Sequence, residues 1–169
     1  YCMYVYKMRV FLILFLLVSP VYSLICNRGS YYGISVYTGQ YTCVQCDGGK
    51  YQDEEGQTTC KDCPMGSYQV NMGEALCNDC DAGYYQDQTA QSTCKTCAAG
   101  RYSVSGVRAS SCTECSVGRY QPNIRQTSCL DCPAGKYQDQ SGQGSCKTCS
   151  LAQYSEVRAS SCTDCPEGR

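Results

Sequence analysis

Apolar residues are unevenly spread along this chain. They crowd into one run of nine, Val10 to Val18, and past residue 24 the large aliphatic side chains are sparse, with neither helical nor alternating period. The run follows the basic start Met8-Arg9 and is broken by Ser19-Pro20, after which Val21-Tyr22-Ser23 offers compact residues to a signal peptidase. Nine apolar residues fall short of the roughly 20 that span a bilayer. The pattern therefore predicts a helical secretory signal peptide within residues 1–23, cleaved after Ser23, in preference to a retained signal anchor. Position 1 is not Met, so Met3 or Met8 is the expected start, and Cys2 falls outside the mature chain.

Past the leader the punctuation is cysteine. A Cys-x-x-Cys pair returns every 16 to 18 residues: Cys43/Cys46, Cys60/Cys63, Cys77/Cys80, Cys94/Cys97, Cys112/Cys115, Cys129/Cys132, Cys146/Cys149 and Cys162/Cys165. A fixed short period describes an array of small units over residues 24–169. Aligned on the second cysteine of each pair, the units read Cys46-Asp-Gly-Gly-Lys-Tyr51, Cys63-Pro-Met-Gly-Ser-Tyr68, Cys80-Asp-Ala-Gly-Tyr-Tyr85 and onward to Cys149-Ser-Leu-Ala-Gln-Tyr154, where Ala152 replaces the usual Gly. Cys26-Asn-Arg-Gly-Ser-Tyr31 fits at the front, and Cys165-Pro-Glu-Gly-Arg169 stops before the Tyr, an unfinished unit that suggests the N-terminal piece of a longer protein. Longer stretches return at offsets of 52 and 50 residues, from Gly83 to Gly135 and from Val107 to Val157, which points to duplication in blocks of three.

Each unit reads as a small β-hairpin. Cys-Pro-x-Gly marks a tight turn with Gly free to take positive φ. Tyr-Gln then has strand character, a polar Gly-containing stretch such as Asp53-Glu-Glu-Gly56 reverses the chain, and a Ser/Thr-rich return such as Gln57-Thr-Thr-Cys60 closes it. One pairing rule accounts for the lone Cys26: Cys26 with Cys43, then Cys46–Cys60, Cys63–Cys77, Cys80–Cys94, Cys97–Cys112, Cys115–Cys129, Cys132–Cys146 and Cys149–Cys162, leaving Cys165 over. Interleaved and within-pair connectivities remain the alternatives, because spacing does not prove pairing.

Composition narrows the chemistry. The mature segment has neither Phe nor Trp, so it cannot bury enough apolar surface to offset its ordering entropy and needs covalent or metal staples. Paired Cys-x-x-Cys spacing is near that of a zinc ribbon. Against metal stand the absence of any His, the role left for Cys26, and a leader that directs the chain to an oxidising compartment. Removing Lys7 and Arg9 with the leader leaves 12 basic against 15 acidic residues, a net −3 too weak to attract nucleic acid or anionic lipid. No catalytic constellation, calcium loop of known spacing or Asn-x-Ser/Thr acceptor is present in the sequence. No catalytic, metal or cofactor residues are therefore assigned, and no small-molecule substrate is expected.

The stretch Cys132-Pro-Ala-Gly-Lys-Tyr-Gln-Asp to Cys146-Lys-Thr-Cys149 resembles the ephrin-receptor-like cysteine-rich repeat of the growth-factor-receptor cysteine-rich superfamily. The resemblance runs from Cys26 to Arg169 and implies disulfide-closed hairpins stacked into an elongated extracellular array with little apolar core. It also favours the sequential pairing. The chain has no kinase motif and no ligand-binding β-sandwich, so kinase activity and ephrin binding do not carry over.

Two other residue sets invite a binding role. The in-phase tyrosines (Tyr31, Tyr51, Tyr68, Tyr85, Tyr102, Tyr120, Tyr137 and Tyr154) suit a ligand ladder, but are expected mainly to cover each unit's disulfide. Lys50, Arg101, Arg119, Lys136 and Arg169 precede that Tyr; with Asp53, Asp87 and Asp139 nearby, a mixed solvated face is expected over a glycan-binding stripe. The unit at Cys149, one residue short and lacking the turn Gly, is expected to be distorted or weak. The functional expectation is a non-enzymatic spacer or scaffold, secreted or on the outer cell surface, with membrane attachment only through the leader or an unseen C-terminal segment. Direct binding of a protein or glycan partner is the main alternative, and a metal-thiolate protein the remote one.

Overall fold

Short turns tied by cysteines set the architecture. The computed structural model describes residues 25–35, 37–104 and 108–166; the expected leader over residues 1–23 lies outside them. Eight two-stranded antiparallel hairpins follow one another. The first joins β1 (Ser30–Ile34) to β2 (Tyr41–Gln45). The rest have two-residue strands: β3 (Lys50–Tyr51) with β4 (Lys61–Asp62), β5 (Ser67–Tyr68) with β6 (Asn78–Asp79), and β7 (Tyr84–Tyr85) with β8 (Lys95–Thr96). Then come β9 (Arg101–Tyr102) with β10 (Thr113–Glu114) and β11 (Arg119–Tyr120) with β12 (Leu130–Asp131). The last are β13 (Lys136–Tyr137) with β14 (Lys147–Thr148) and β15 (Gln153–Tyr154) with β16 (Thr163–Asp164).

The turn after each buried cysteine forms as its residues require. The Lys50 N–H donates to the Asp47 carbonyl at 3.0 Å, and Gly49 between them takes φ +81°. Positive φ at the third turn position is the demand that selects Gly. Where Pro is present, at Pro64 and Pro133, it stands first in the turn and its carbonyl accepts from Ser67 or Lys136.

The strands sit elsewhere than Tyr-Gln and the Ser/Thr return suggest. From the second hairpin on, the first strand ends at the Tyr, and the return strand is the two-residue spacer of the Cys-x-x-Cys pair itself. The cause is local: the Cys63 N–H donates to the Gly49 carbonyl at 2.9 Å, which draws the spacer alongside β3. The residue after Tyr turns inward instead. Gln52, Gln69, Gln86, Gln121 and Gln138 are buried, and the first cysteine of each of the first seven disulfides is buried with them.

Each buried Gln finds partners on both ends, as a polar group removed from water must. Gln86 Nε2 donates to the Thr93 carbonyl at 2.6 Å, and its Oε1 accepts from the Gln88 N–H at 3.1 Å. The same two bonds recur at Gln52, Gln69, Gln121 and Gln138. The amide thus braces the loop from inside, where a globular domain would place an aliphatic side chain.

Backbone bonds join the hairpins in sequence. The Gly49 N–H donates to the Gln69 carbonyl of the next hairpin at 2.6 Å, and the Gln52 N–H donates to Glu74 at 3.2 Å. The Cys46 carbonyl accepts from the Gly73 N–H of the next reversal at 2.8 Å. Packing also reaches two hairpins on. A Cβ on Gly49, Gly66, Gly83, Gly100 or Gly118 would collide with the backbone carbonyl of Ala90, Arg108, Arg125, Gly142 or Arg158, respectively. Each hairpin is therefore fixed by its neighbours along one direction, the arrangement of a short solenoid.

Candidate interaction surface

The cysteines form the scaffold. The structure joins Cys26–Cys43, Cys46–Cys60, Cys63–Cys77, Cys80–Cys94, Cys97–Cys112, Cys115–Cys129, Cys132–Cys146 and Cys149–Cys162, with Cα–Cα spans from 5.3 to 5.9 Å. Such spans lie within the range that a disulfide bridges. Cys165 carries an exposed free thiol, while Cys2 lies outside the described residues. Among the described residues no cluster of His, Cys, Asp or Glu is arranged to hold a metal ion. No helix among them is long and apolar enough to cross a membrane.

The in-phase tyrosines are neither a bare ladder nor a core. Tyr31, Tyr51, Tyr68, Tyr85, Tyr102, Tyr120 and Tyr137 are half-buried, and Tyr154 is exposed. From the second hairpin on, the inward position next to them belongs to Gln, or to Ser103 and Ser155 in the fifth and eighth hairpins. Those serines reach backward: Ser103 Oγ donates to the Tyr84 carbonyl at 2.8 Å and Ser155 Oγ to the Lys136 carbonyl at 2.9 Å. Sequence reasoning missed this buried set. The signal was available, because Tyr-Gln recurs in phase, but a polar side chain in a polar unit reads as surface.

The basic residues before Tyr do not form a free cationic stripe. Strand register places an acid opposite three of them. Lys50 lies 3.4 Å from Asp62, Arg101 lies 2.6 Å from Glu114, and Arg119 lies 2.7 Å from Asp131. Lys136 faces Thr148 instead, and Arg169 lies outside the described residues. A second set of pairs clamps the loops: Lys61–Asp53 at 2.6 Å, Lys95–Asp87 at 2.6 Å and Lys147–Asp139 at 2.7 Å. In each, the hydrogen bond from the ammonium holds the Asp carboxyl below its ordinary value and raises the Lys. All these side chains keep at least about a third of their surface in water, so the pairs orient loops more than they stabilise them.

Shallow grooves open where successive hairpins meet. One of about 330 Å³ lies between the third and fourth hairpins, lined by Tyr68, Val70, Asp81, Tyr84, Ser92 and Thr93 beside Cys94. Its counterpart between the first and second hairpins, also about 330 Å³, is lined by Tyr31, Asp47, Lys50, Thr59 and Cys60. Corresponding positions build both, so the groove is a product of the repeat.

The model of the tyrosine-protein kinase ephrin type A/B receptor-like family matches residues 29–73, 66–107 and 100–142. The stretches overlap and together cover about two-thirds of the 169 residues. Each begins on a turn glycine: Gly29, Gly66 or Gly100. Each ends at or next to the residue whose carbonyl covers that glycine: Gly73, Arg108 or Gly142. The family window is thus the three-hairpin packing unit. No curated protein matches the chain. The repeat is a non-catalytic, receptor-type extracellular module. Its matched span, eight consecutive disulfides and in-phase glycines place this chain in the ephrin type A/B receptor-like family of cysteine-rich repeats.

Proposed function

We propose that the chain serves as a stiff extracellular spacer, secreted or displayed on the outer cell surface after removal of residues 1–23, and that it catalyses no reaction. One observation carries this reading. Every hairpin from the second to the sixth is bonded through its backbone to the next and packs by glycine against the one after that. A string of disulfide loops on flexible joints would keep the loops and lose their mutual orientation. Here the joint between loops is itself a β-strand, which leaves little freedom at the junction. The half-buried tyrosines and internally paired charges agree with a surface built mainly for support.

Small-angle scattering of the secreted, oxidised chain tests the spacer role. A rod-like profile whose length is unchanged between low and high salt is expected. The profile of a flexible coil would sink the proposal, since a spacer that bends freely sets no distance.

A further inference from the structure

Two joints build the same groove from corresponding positions, so the one whose residues differ carries information. In the groove between the first and second hairpins, Lys50 lies among the lining residues and pairs with Asp62 at 3.4 Å. Between the third and fourth hairpins the corresponding place holds Tyr84, which joins Tyr68 in the wall. No other hairpin has an aromatic residue at that place; they carry Ser, Lys, Arg or Gln. Asp81 lines the same groove, is exposed, and among the described residues makes no ion pair.

The joint differs a second time, now in the third hairpin. Where the second, fourth and seventh place Asp53, Asp87 and Asp139 in lysine clamps, it places Val70, which is 60% exposed and lines the groove. Met72 and Leu76 of the same hairpin are exposed as well. A groove with two tyrosines, one uncommitted carboxylate and an exposed aliphatic side chain is complementary to a cation on an apolar stem. Tyr84 already accepts one: the Arg125 guanidinium from the sixth hairpin lies 5.5 Å from its ring centroid.

We propose that this groove docks an extended segment of a partner protein that presents an arginine or lysine beside an apolar residue. The aliphatic stem lies against Tyr68 and Tyr84, the charged head meets Asp81, and the neighbouring apolar side chain covers Val70. This goes beyond the spacer role, which requires no such groove; either stands if the other fails.

The probes are two capped tripeptides, leucine–arginine–leucine and the same peptide with citrulline, which keeps the shape and removes the charge. Titration of the full oxidised chain is followed by NMR. The arginine peptide should shift Tyr68, Val70, Asp81 and Tyr84 together, and the citrulline peptide should bind about tenfold more weakly. Asp81→Asn should cause a similar loss. Tyr84→Lys should abolish the response while all eight disulfides stay intact, because the array itself tolerates Lys at the corresponding positions 50 and 136. Equal binding of both peptides, shifts spread over every joint, or no shift at millimolar peptide would each overturn the proposal. So would a Tyr84-dependent dimer in sedimentation without any peptide response, which would assign the groove to a second copy.

Discussion

The interior hairpins and the eighth are built from one motif, yet they meet different demands. In the third hairpin, Gly66 takes φ +79° and has the Arg108 backbone pressed against the place a Cβ would occupy. In the eighth, Ala152 takes nearly the same φ, +62°, and is exposed. Its hairpin is not distorted: β15 and β16 pair in the usual register, and the Cys165 N–H still reaches the Ala152 carbonyl at 2.8 Å. Two requirements on one position are thereby separated. Positive φ favours Gly but admits Ala at a cost of about 1–2 kcal/mol, whereas a covering backbone excludes any side chain. Burial follows the same division, since Cys132 is fully buried while Cys149 is only partly so.

Removing a disulfide should break this contrast most visibly. Replacing Cys80 and Cys94 together by Ser should cost about 3 kcal/mol from loop closure alone. The loss should spread, because hairpins on both sides rest on the fourth. The same change at Cys149 and Cys162 should reach only the eighth hairpin and the sixth and seventh that rest on it from one side. Urea midpoints and limited proteolysis distinguish them, and equal, local losses at both would end the idea of a coupled stack.

Next in size is Gly66→Ala, expected to lose about 3 kcal/mol from the left-handed penalty and overpacking combined. Gly135→Ala, at φ +78° with nothing near its Cβ position among the described residues, should lose about 1 kcal/mol. Thermal melts that rank the two the other way would remove the packing argument. Gln86→Leu should lose about 2 kcal/mol, because the Thr93 carbonyl and Gln88 N–H are left without their partner; an unchanged melting temperature would show that water replaces the amide. Ala152→Gly is the one change expected to stabilise, by about 0.5 kcal/mol, as relief of the φ penalty exceeds the added chain entropy.

The smallest effect concerns pH. Asp53, Asp87 and Asp139 have depressed folded values, so their contribution is present above the ordinary carboxylate value of 3.8 and is lost as pH falls through the lower folded value. Lys61, Lys95 and Lys147 are raised, so theirs is complete below 10.5 and is lost as pH rises past the higher folded value. Stability should be flat between those limits, and a steep slope near neutrality would contradict the exposed character of these pairs.

Much of the scaffold is legible in the residues themselves. The period, the turn before Tyr and the odd Cys26 lead to consecutive closed hairpins, because a cysteine-dense segment without Phe or Trp past residue 23 has few other ways to hold shape. The strand positions are less legible. Two residues between cysteines look like a metal or redox spacer, and only the bond from Cys63 to Gly49 shows them to be a strand. The groove at Tyr68 and Tyr84 is written as two ordinary tyrosines in adjacent units, and nothing local says they share a wall.

What the sequence determined alone is therefore the unit: its length, its turn glycine, its expected covalent closure and its poverty of apolar side chains. These follow from local rules of φ, composition and chain entropy. Tertiary structure decided which polar residue is buried, why no side chain fits at Gly66, and which joint places two tyrosines in one wall. The last two depend on a backbone carbonyl or a side chain one or two hairpins away, whereas the buried Gln braces its own loop. No reading of a single unit contains that partner.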